Sequence, residues 1–545
     1  MKFVRSLLLG SAAGICVAPV AQAADLPARA VAPVEYVQAC YTAERKSNRS
    51  LNGFFALPGT DTCLRISGRA RFSYQYTSSR GESSILGNNR GFVGGDNSGF
   101  QTQAQINLDA RTKTDLGTLR TFIRVIAGYN SGGHLNSGTT QRMAYGYPAL
   151  GMDTFGRAQS QIYLDKAFIQ YVGFTAGRAA SFFDFYAHDV EFIGATSGSN
   201  VGSTNLLAYT ATFGGGWSAT ISMEDPIARR QPRFADFAAG SAITGSPNFG
   251  NLAGPFTQGV SYIGSNGQTR VANYDVVQRS SVPDFVAAVR YAAPWGAAQV
   301  SAAMHQLSGG RLMSVGARGA STGTGLAQAI ADGVPNKVKD EFGWAVQGGL
   351  KVNLPQLAQG DVLWLQAAYS EGALSYAGHP ARMVGGATLS NVYSGRFLVS
   401  TVDSFIGADG KQKLTEAWSV SAAFLHYWTP QWRSAVFGSY GEVAFGKGAR
   451  TLMTDVRGSA AGAQFDGRLH DYSIAVVGAN LIWSPVRGLD IGVEGVYTRA
   501  DLKGGRVADL TYGSQNFNNL VAGVGGKTAK SDDLWAFRMR VQRDF

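Results

Sequence analysis

The sequence predicts an all-β fold, a closed 16-stranded antiparallel transmembrane β-barrel. Three observations predict it. The last twelve residues alternate between apolar and polar side chains, similar alternating segments recur along the chain, and the connections between those segments alternate between short and long. The sequence contains no run of eighteen apolar residues, which a membrane-spanning helix would need. Any crossing of a membrane is therefore expected to use strands.

The terminal segment, residues 534–545, alternates with the period of two that places successive side chains on opposite faces of a strand. One face is apolar apart from Arg543, and the other carries Arg538 and Arg540. The apolar face consists of Trp535, Phe537, Met539, Val541 and Phe545. A barrel with lipid outside and water inside accommodates both faces. An edge strand of a soluble sandwich is the alternative interpretation of this segment alone.

Residues 1–23 have the features of a secretory signal peptide that is cleaved from the mature chain. Lys2 and Arg5 precede an apolar stretch, which ends in the small-residue cleavage site Ala21-Gln22-Ala23. Of the three cysteines, Cys16 is removed with the signal peptide. Export predicts an oxidising compartment, in which the other two cysteines pair as a Cys40–Cys63 disulfide. We therefore expect residues 24–63 to form a periplasmic N-terminal segment that contains this disulfide.

The transmembrane barrel is predicted over residues 64–545, and its first strand illustrates the pattern. From Leu64 to Tyr76, apolar and small side chains alternate with a polar face. The same test predicts fifteen further strands near residues 100–114, 119–129, 161–172, 174–178, 205–213, 217–225, 283–292, 295–304, 341–352, 361–369, 415–428, 432–440, 472–484, 489–498 and 534–545. The total is sixteen, an even number as in single-chain bacterial barrels.

The connections between these strands alternate in length. Gly214-Gly215-Gly216 and Ala293-Pro294 are tight turns, whereas the spans 226–282 and 306–340 are long. Transmembrane barrels have short periplasmic turns and long external loops. Seven turns and eight loops would place both termini in the periplasm, so the sequence predicts a multi-pass barrel of a Gram-negative cell outer membrane.

Charge and composition argue against several classes of function. The formal charge of +11 becomes +9 without Lys2 and Arg5, and a basic balance can indicate a nucleic-acid partner. The charges are spread along the strands, however, and an exported protein is not expected to meet nucleic acid. The six histidines are scattered without metal-ligand spacing or a catalytic motif. We therefore expect no enzymatic activity, no metal and no cofactor.

Several motifs resemble the general-diffusion porins of α-proteobacteria. They are Pro-Val-Glu-Tyr-Val at 33–37, the segment 53–65 that contains Cys63, and the segments 167–170, 173–178 and 181–185. The resemblance implies a homotrimer of sixteen-stranded barrels in outer-membrane lipid. It also implies passive diffusion of small hydrophilic solutes and ions through a water-filled channel.

The resemblance further implies a third loop that folds into the barrel and narrows it. Here that constriction loop is expected at about residues 179–204. Its first half is too aromatic for a free surface loop, so it should pack on the inner wall. It also carries three acidic residues, Asp184, Asp189 and Glu191.

The strands that face this loop supply cations from their polar faces. These pore-lining candidates are Arg65, Arg69, Arg71, Arg111, Arg120, Arg124 and Lys166. Isolated charges are costly to bury in a dry core, whereas a water-filled channel removes that cost. We expect the waist to be lined by Arg69, Arg71, Arg124 and Lys166, across a gap from the acidic loop. In the alternative interpretation, arginines hydrogen-bond the loop's carbonyl groups and hold it in place.

Two other functions fit the same fold. A surface adhesin or structural barrel would use its long loops to bind a partner and would have a blocked lumen. A substrate-specific porin would differ from a general one only in the placement of its loops, which the sequence leaves open. Conductance in a planar bilayer distinguishes an open channel from a blocked barrel.

Overall fold

The computed structural model describes residues 53–78, 98–131, 159–231, 233–234, 257–276, 278–317, 326–379, 382–384, 387–389, 396–397, 399–457 and 460–545. The predicted signal peptide, Cys40 and most of the predicted periplasmic segment lie outside the described residues. Cys63 is buried, and its predicted disulfide with Cys40 stays a prediction.

Sixteen long strands form one closed antiparallel barrel, as predicted. They are β1 Thr62–Thr77, β2 Ser98–Thr114, β3 Gly117–Ser131, β4 Gln159–Tyr171, β5 Phe174–Ala179, β6 Thr204–Gly214, β7 Trp217–Glu224, β8 Asp284–Ala293, β9 Gly296–Leu307, β10 Glu341–Asn353, β11 Val362–Glu371, β12 Glu416–Tyr427, β13 Trp432–Ala444, β14 Tyr472–Val486, β15 Leu489–Leu502 and β16 Ser531–Asp544. Each strand pairs with its neighbours in the chain, and β16 closes the barrel against β1 with Arg69 opposite Asp544. A two-residue strand, Phe55–Ala56, extends the sheet beside β1.

The alternation predicted for the last strand is present in β16. Trp535, Phe537 and Met539 are exposed on the outer surface of the barrel, whereas Arg538 and Arg540 are buried. The same division holds in β1, where Phe72 is exposed and Ser73 is buried. Period two therefore separates an apolar exterior from a polar interior.

The connections alternate in length as expected, with short turns at one end of the barrel. The turn between β6 and β7 consists of glycines whose φ angles are positive: Gly214 at 75°, Gly215 at 58° and Gly216 at 91°. A Cβ atom on Gly216 would also lie 2.0 Å from the carbonyl oxygen of Ala292 in β8. Only glycine satisfies both the backbone angle and the close approach of the neighbouring strand.

The long connections carry structure of their own, which the period-two analysis did not predict. Their strands are Thr257–Ile263, Thr269–Asp275, Leu312–Ala317, Arg382–Val384, Ala387–Leu389, Ser404–Ile406, Gln412–Leu414, Val507–Ala508 and Thr528–Ala529. Their helices are α1 Leu326–Ala331, α2 Ala449–Arg457, α3 Ala460–Phe465 and α4 Ser514–Val521, with 3₁₀ turns at Pro226–Ala228, Leu374–Ala377 and Leu510–Tyr512. Most of these elements have two to six residues, and the seven-residue strands Thr257–Ile263 and Thr269–Asp275 have polar and apolar residues on both faces, so no period is recognised.

Two apolar clusters stabilise these connections. Val260, Tyr274 and Leu312 belong to the first cluster, which lies beneath the three-stranded sheet of Thr257–Ile263, Thr269–Asp275 and Leu312–Ala317. Phe405 and Met453 belong to a second cluster that includes residues of α2 and α3. Among the described helices, none is long and apolar enough to span a membrane.

Candidate functional site

The third long connection, residues 180–203, hydrogen-bonds to strands far round the barrel from β5, which it follows. The backbone N–H of Tyr186 donates to Gln366 Oε1 in β11 at 2.8 Å. The N–H groups of Phe192 and Ile193 donate to the carboxylate of Glu494 in β15 at 2.6 and 2.7 Å. Because buried backbone donors need acceptors, these side chains determine where the connection lies.

Strands β9 and β10, which contact this connection, carry mainly small or amide side chains on their buried face. Phe183 packs in a cluster with Ala303 of β9 and Ala345 of β10. The amide of Gln347 donates to the carbonyl oxygen of Phe183 at 2.8 Å. At position 349 even a Cβ atom would lie 2.2 Å from the ring of Phe185, so glycine is required by this close packing.

Two arginines of β16 bind the turn of the connection. Arg538 Nη1 and Arg540 Nη2 each donate to the carbonyl oxygen of Phe192 at 2.7 Å. The guanidinium of Arg540 also lies 4.4 Å from the centroid of the Phe192 ring. The sequence analysis placed both arginines on the polar face of the last strand but did not count them as site residues. They make the carbonyl contacts that the alternative interpretation expected of arginines in general.

Two of the three predicted acidic residues are committed to partners inside the connection or beside it. Asp184 accepts from Arg229 at 2.8 Å, and it also accepts from Ser199 and from the N–H of Val201. Arg229 follows β7 in a long connection, where no sequence pattern distinguishes it. Burial lowers the pKa of Arg229, but Asp184, Tyr376 and Glu224 together outweigh burial, so the pKa is raised.

The carboxylate of Glu191 is buried within the connection. It accepts from Tyr186 Oη at 2.8 Å and from Thr196, and it lies 3.2 Å from His188 Nδ1. Burial raises its pKa, but His188 and the hydrogen bonds outweigh burial, so the pKa is lowered. Asp189, by contrast, is exposed. Of the three acids, only Asp189 presents its side chain to solvent.

The predicted cations divide into two groups. The first lines a cavity of about 210 Å³ and contains Arg69, Arg71, Arg124 and Lys166. Glutamine side chains of β2 and the carboxylate of Asp165 in β4 share the same cavity. These are the four cations that the sequence analysis assigned to a waist.

A β-bulge in β4 brings two consecutive side chains to this cavity. Arg124 pairs with Lys166 and Val125 with Leu164, so Asp165 has no partner residue in the neighbouring strand. The outward-facing residues of β4 are accordingly even-numbered before the bulge, at Ile162 and Leu164, and odd-numbered after it, at Ile169. A bulge interrupts the alternation of faces, which is why strict period two did not identify Asp165.

The second group of cations surrounds one carboxylate, that of Asp109 in β2. Arg111 and Arg120 approach its oxygens at 3.1 and 3.0 Å, and Arg65 lies at 3.7 Å. Arg65 and Arg111 also cover the ring of Phe54 at 5.0 and 4.8 Å from its centroid. This group is structurally distinct from the cavity group, because none of its members lines that cavity.

The histidines in the described part of the chain do not form a common site. His305 binds Asp284 at 2.7 Å, and His426 binds Asp361 at 2.6 Å. His379 is buried against the carbonyl oxygen of Trp418 at 3.1 Å. Within the described ranges, no three histidine, cysteine, aspartate or glutamate residues are grouped to hold a metal ion.

Comparisons with known proteins agree with this architecture. A family model described as "Porin subfamily" matches residues 25–524. Porin Omp2a of Brucella ovis is 34% identical over 232 residues, which are 41% of this chain and 59% of that protein. Porin Omp2b of Brucella canis is 30% identical over 310 residues, which are 54% of this chain and 63% of that protein. The chain thus spans about six tenths of the length of these relatives.

Solved structures give a weaker likeness. The outer membrane channel DcaP of Acinetobacter baumannii aligns with a TM-score of 0.47 at 15% identity, over 90% of this chain and 99% of that one. The family model, in contrast, matches residues 25–524 of the 545-residue chain. On that match, this chain belongs to the porin family.

Proposed function

We propose that this protein is an outer-membrane porin that forms a water-filled channel for the passive diffusion of small hydrophilic solutes and ions. The observation that carries the proposal is a closed barrel with apolar residues outside and a cavity inside that is lined by four cations. Lipid favours the first surface and water the second. Family membership supports the same function.

The third connection, at about 179–204, acts as the constriction loop of this channel. Its hydrogen bonds to Gln366, Glu494 and Arg538, on strands widely separated round the barrel, support a position across the lumen. Arg69, Arg71, Arg124 and Lys166 line the waist, and Asp189 supplies the exposed acid of the loop. Arg65, Arg111 and Arg120 line the pore beyond the waist, around Asp109.

The remaining proposals concern the mature protein. Residues 1–23 are removed as a signal peptide, and residues 24–63 form a periplasmic segment with a Cys40–Cys63 disulfide. Both termini lie in the periplasm, and three copies associate in outer-membrane lipid. Porins are channels rather than enzymes, so we expect no catalytic activity from this chain.

Planar-bilayer recording of the purified protein tests the channel function. Open conductance steps are expected, and their absence would contradict the proposal. Changing Arg69→Ala together with Arg71→Ala should alter single-channel conductance and ion preference while leaving the heat stability of the trimer unchanged. An unaltered conductance would show that these arginines do not line the waist.

A blocked surface barrel is the second candidate. The observation that favours it is the three-stranded sheet of Thr257–Ile263, Thr269–Asp275 and Leu312–Ala317. Its apolar cluster gives the external connections a core of their own. Such a surface could bind a partner without any flow through the lumen. Silent bilayers from folded protein would support this candidate over the channel.

A further inference from the structure

We infer that the waist cavity is a binding site for a small oxyanion with two negative charges, such as phosphate. This inference deepens the proposed channel function, because it names the class of solute that the lumen retains briefly during passage. It rests on the charged side chains that line the cavity, on the partners of those side chains, and on the hydrogen bonds and ion pairs that the nearby acids already make.

The cavity has room for a small hydrated anion. Its volume is about 210 Å³, and a water molecule occupies about 30 Å³ in the liquid, so it holds on the order of seven waters. Three glutamines of β2, Gln101, Gln103 and Gln105, add amide groups to the lining. Amides donate hydrogen bonds to an oxyanion without adding charge.

The cations of the cavity outnumber their carboxylate partners. Arg69 pairs with Asp544 at 2.6 Å, and Arg124 lies 3.5 Å from Asp165. Arg71 donates only to the neutral amide oxygen of Gln542, at 3.0 and 2.8 Å. The ammonium of Lys166 makes no hydrogen bond or ion pair in the part of the chain that the structure describes. Two carboxylates against four cations leave two positive charges.

The acids of the third connection offset only part of this excess: Asp184 attracts Lys166, whereas the exposed Asp189 interacts with Lys351 of β10. Asp184 is bound to Arg229, and Glu191 is held by Tyr186, Thr196 and His188. A buried carboxylate already bound in this way has little capacity to pair with a second cation across a gap. The sequence predicted a cationic wall that is balanced by an acidic loop. The structure instead has an excess of cations in the cavity, and such a cavity should prefer anions.

Guanidinium and ammonium groups select oxyanions for a physical reason. Charge-assisted N–H···O bonds are about twice as strong as neutral ones, and the planar guanidinium matches two oxygens of one anion. The side chains of Arg69 and Arg124 remain 31% and 28% exposed, so water competes for them. Competition keeps binding weak enough for release, which conduction through a pore requires.

Single-channel recording in a bilayer tests the site. In 0.1 M KCl at pH 8, the zero-current potential across a salt gradient should indicate anion preference, and added inorganic phosphate should reduce the chloride current. Without screening, a unit charge about 6 Å from a dianion in water would change its occupancy about tenfold, and screening in 0.1 M salt reduces this to about threefold. Lys166→Gln should therefore weaken the phosphate effect about threefold and Arg71→Gln/Lys166→Gln about tenfold. Raising KCl to 1 M should remove most of the effect through screening.

Two matched variants test whether the location matters. Asp165→Asn removes the carboxylate from the cavity lining and should strengthen the phosphate effect about threefold. Arg499→Gln removes a cation that pairs with Asp501 in β15, outside the cavity, and it should leave the phosphate effect unchanged. Loss of the folded-barrel mobility shift on unheated gels identifies any variant that fails to fold.

The outcomes separate this inference from the channel function. Open steps that phosphate does not affect, or affects equally in the wild type and in Arg71→Gln/Lys166→Gln, would overturn the site and leave the channel intact. Silent bilayers would overturn the channel, and calorimetric titration of the detergent-solubilised protein with phosphate then decides the site. Heat of phosphate binding in the wild type that is lost in Arg71→Gln/Lys166→Gln would support the site. The absence of binding heat in the wild type would overturn the site.

Discussion

The interior of this barrel has two walls that differ in side-chain volume. Strands β9–β13, which we term the packed wall, present mainly alanine, serine, glycine and glutamine to the third connection. Strands β1–β4, which we term the cationic wall, present mainly arginine, lysine and glutamine to a cavity. Both walls consist of antiparallel strands with alternating faces, and only the bulge in β4 interrupts this alternation on the cationic wall. The difference lies in what each wall contacts.

This difference shows how one barrel holds a folded segment and an open space together. Small side chains on the packed wall admit aromatic rings such as Phe183 and Phe185 and bring amides within reach of backbone carbonyls. Long cationic side chains on the other wall need water or an anion, because burying them without partners would be costly. We therefore expect substitutions near the packed wall to affect stability and those on the cationic wall to affect conduction.

The largest expected loss of stability comes from breaking the buried pair between Asp184 and Arg229. Asp184→Ala leaves the guanidinium buried without its counter-charge, and we expect the free energy of unfolding to fall by about 3–5 kcal/mol. Denaturant unfolding in lipid vesicles, followed by tryptophan fluorescence, measures this change. Asp189→Ala removes the same charge from an exposed position of the same connection and should change stability by less than about 0.5 kcal/mol.

Releasing the turn at Phe192 is expected to cost less. Glu494→Ala leaves the N–H groups of Phe192 and Ile193 without their acceptor, at about 1–2 kcal/mol for each group. The conductance of Glu494→Ala should exceed that of the wild type because the connection loses an anchor. Glu494→Gln keeps one acceptor oxygen, so its conductance should lie between those of the wild type and Glu494→Ala. If Glu494→Ala had the conductance and stability of the wild type, the contact would not hold the connection.

Added volume on the packed wall should also destabilise the connection. Gly349→Ala places a Cβ atom 2.2 Å from the ring of Phe185, and overpacking of this kind costs about 1–3 kcal/mol. The adjacent Gly348→Ala points to the opposite face, where nothing lies within 4 Å, and serves as the control. Equal unfolding free energies for the two variants would contradict the packing described here.

A local pH dependence is expected where the connection of residues 399–415 meets the packed wall. Asp403 accepts from the N–H of Leu374 at 2.8 Å, and burial raises its pKa to about 7. A carboxyl group whose pKa is raised by folding stabilises the fold below its unfolded pKa, and the stabilisation is lost as the pH rises to about 7. Hydrogen exchange of residues 399–415 should be slower at pH 5 than at pH 8, after correction for intrinsic rates. Asp403→Asn should remove the difference.

The smallest effect on stability is expected on the cationic wall. Arg65→Ala removes the most distant of the three cations around Asp109, and Arg111 and Arg120 remain in contact with that carboxylate. A partly exposed ion pair contributes about 0–1 kcal/mol, so the unfolding free energy should barely change. A loss comparable to that of Asp184→Ala would contradict the distinction between the two walls.

Period two in the sequence was sufficient to predict the sixteen strands and, in the first and last of them, the side of the barrel that the residues face. A strand has only two faces, and lipid and water impose opposite composition on them. The analysis failed where that period is broken or too short. Asp165 lies in a bulge, and the small sheet and helices of the external connections have no period long enough to detect.

By itself, the sequence determined the fold class, the number of strands and the alternation of turns and loops, and it placed seven candidate cations on strands β1–β4. Only the tertiary structure decided which of those charges have partners. Asp184 meets Arg229, Glu494 meets the N–H of Phe192, and Asp544 meets Arg69. These groups are up to several hundred residues apart in the chain, and closure and register of the barrel bring them together. Local side-chain patterns carry no information about such distant pairs, because alternation along one strand is the same whichever strand lies opposite.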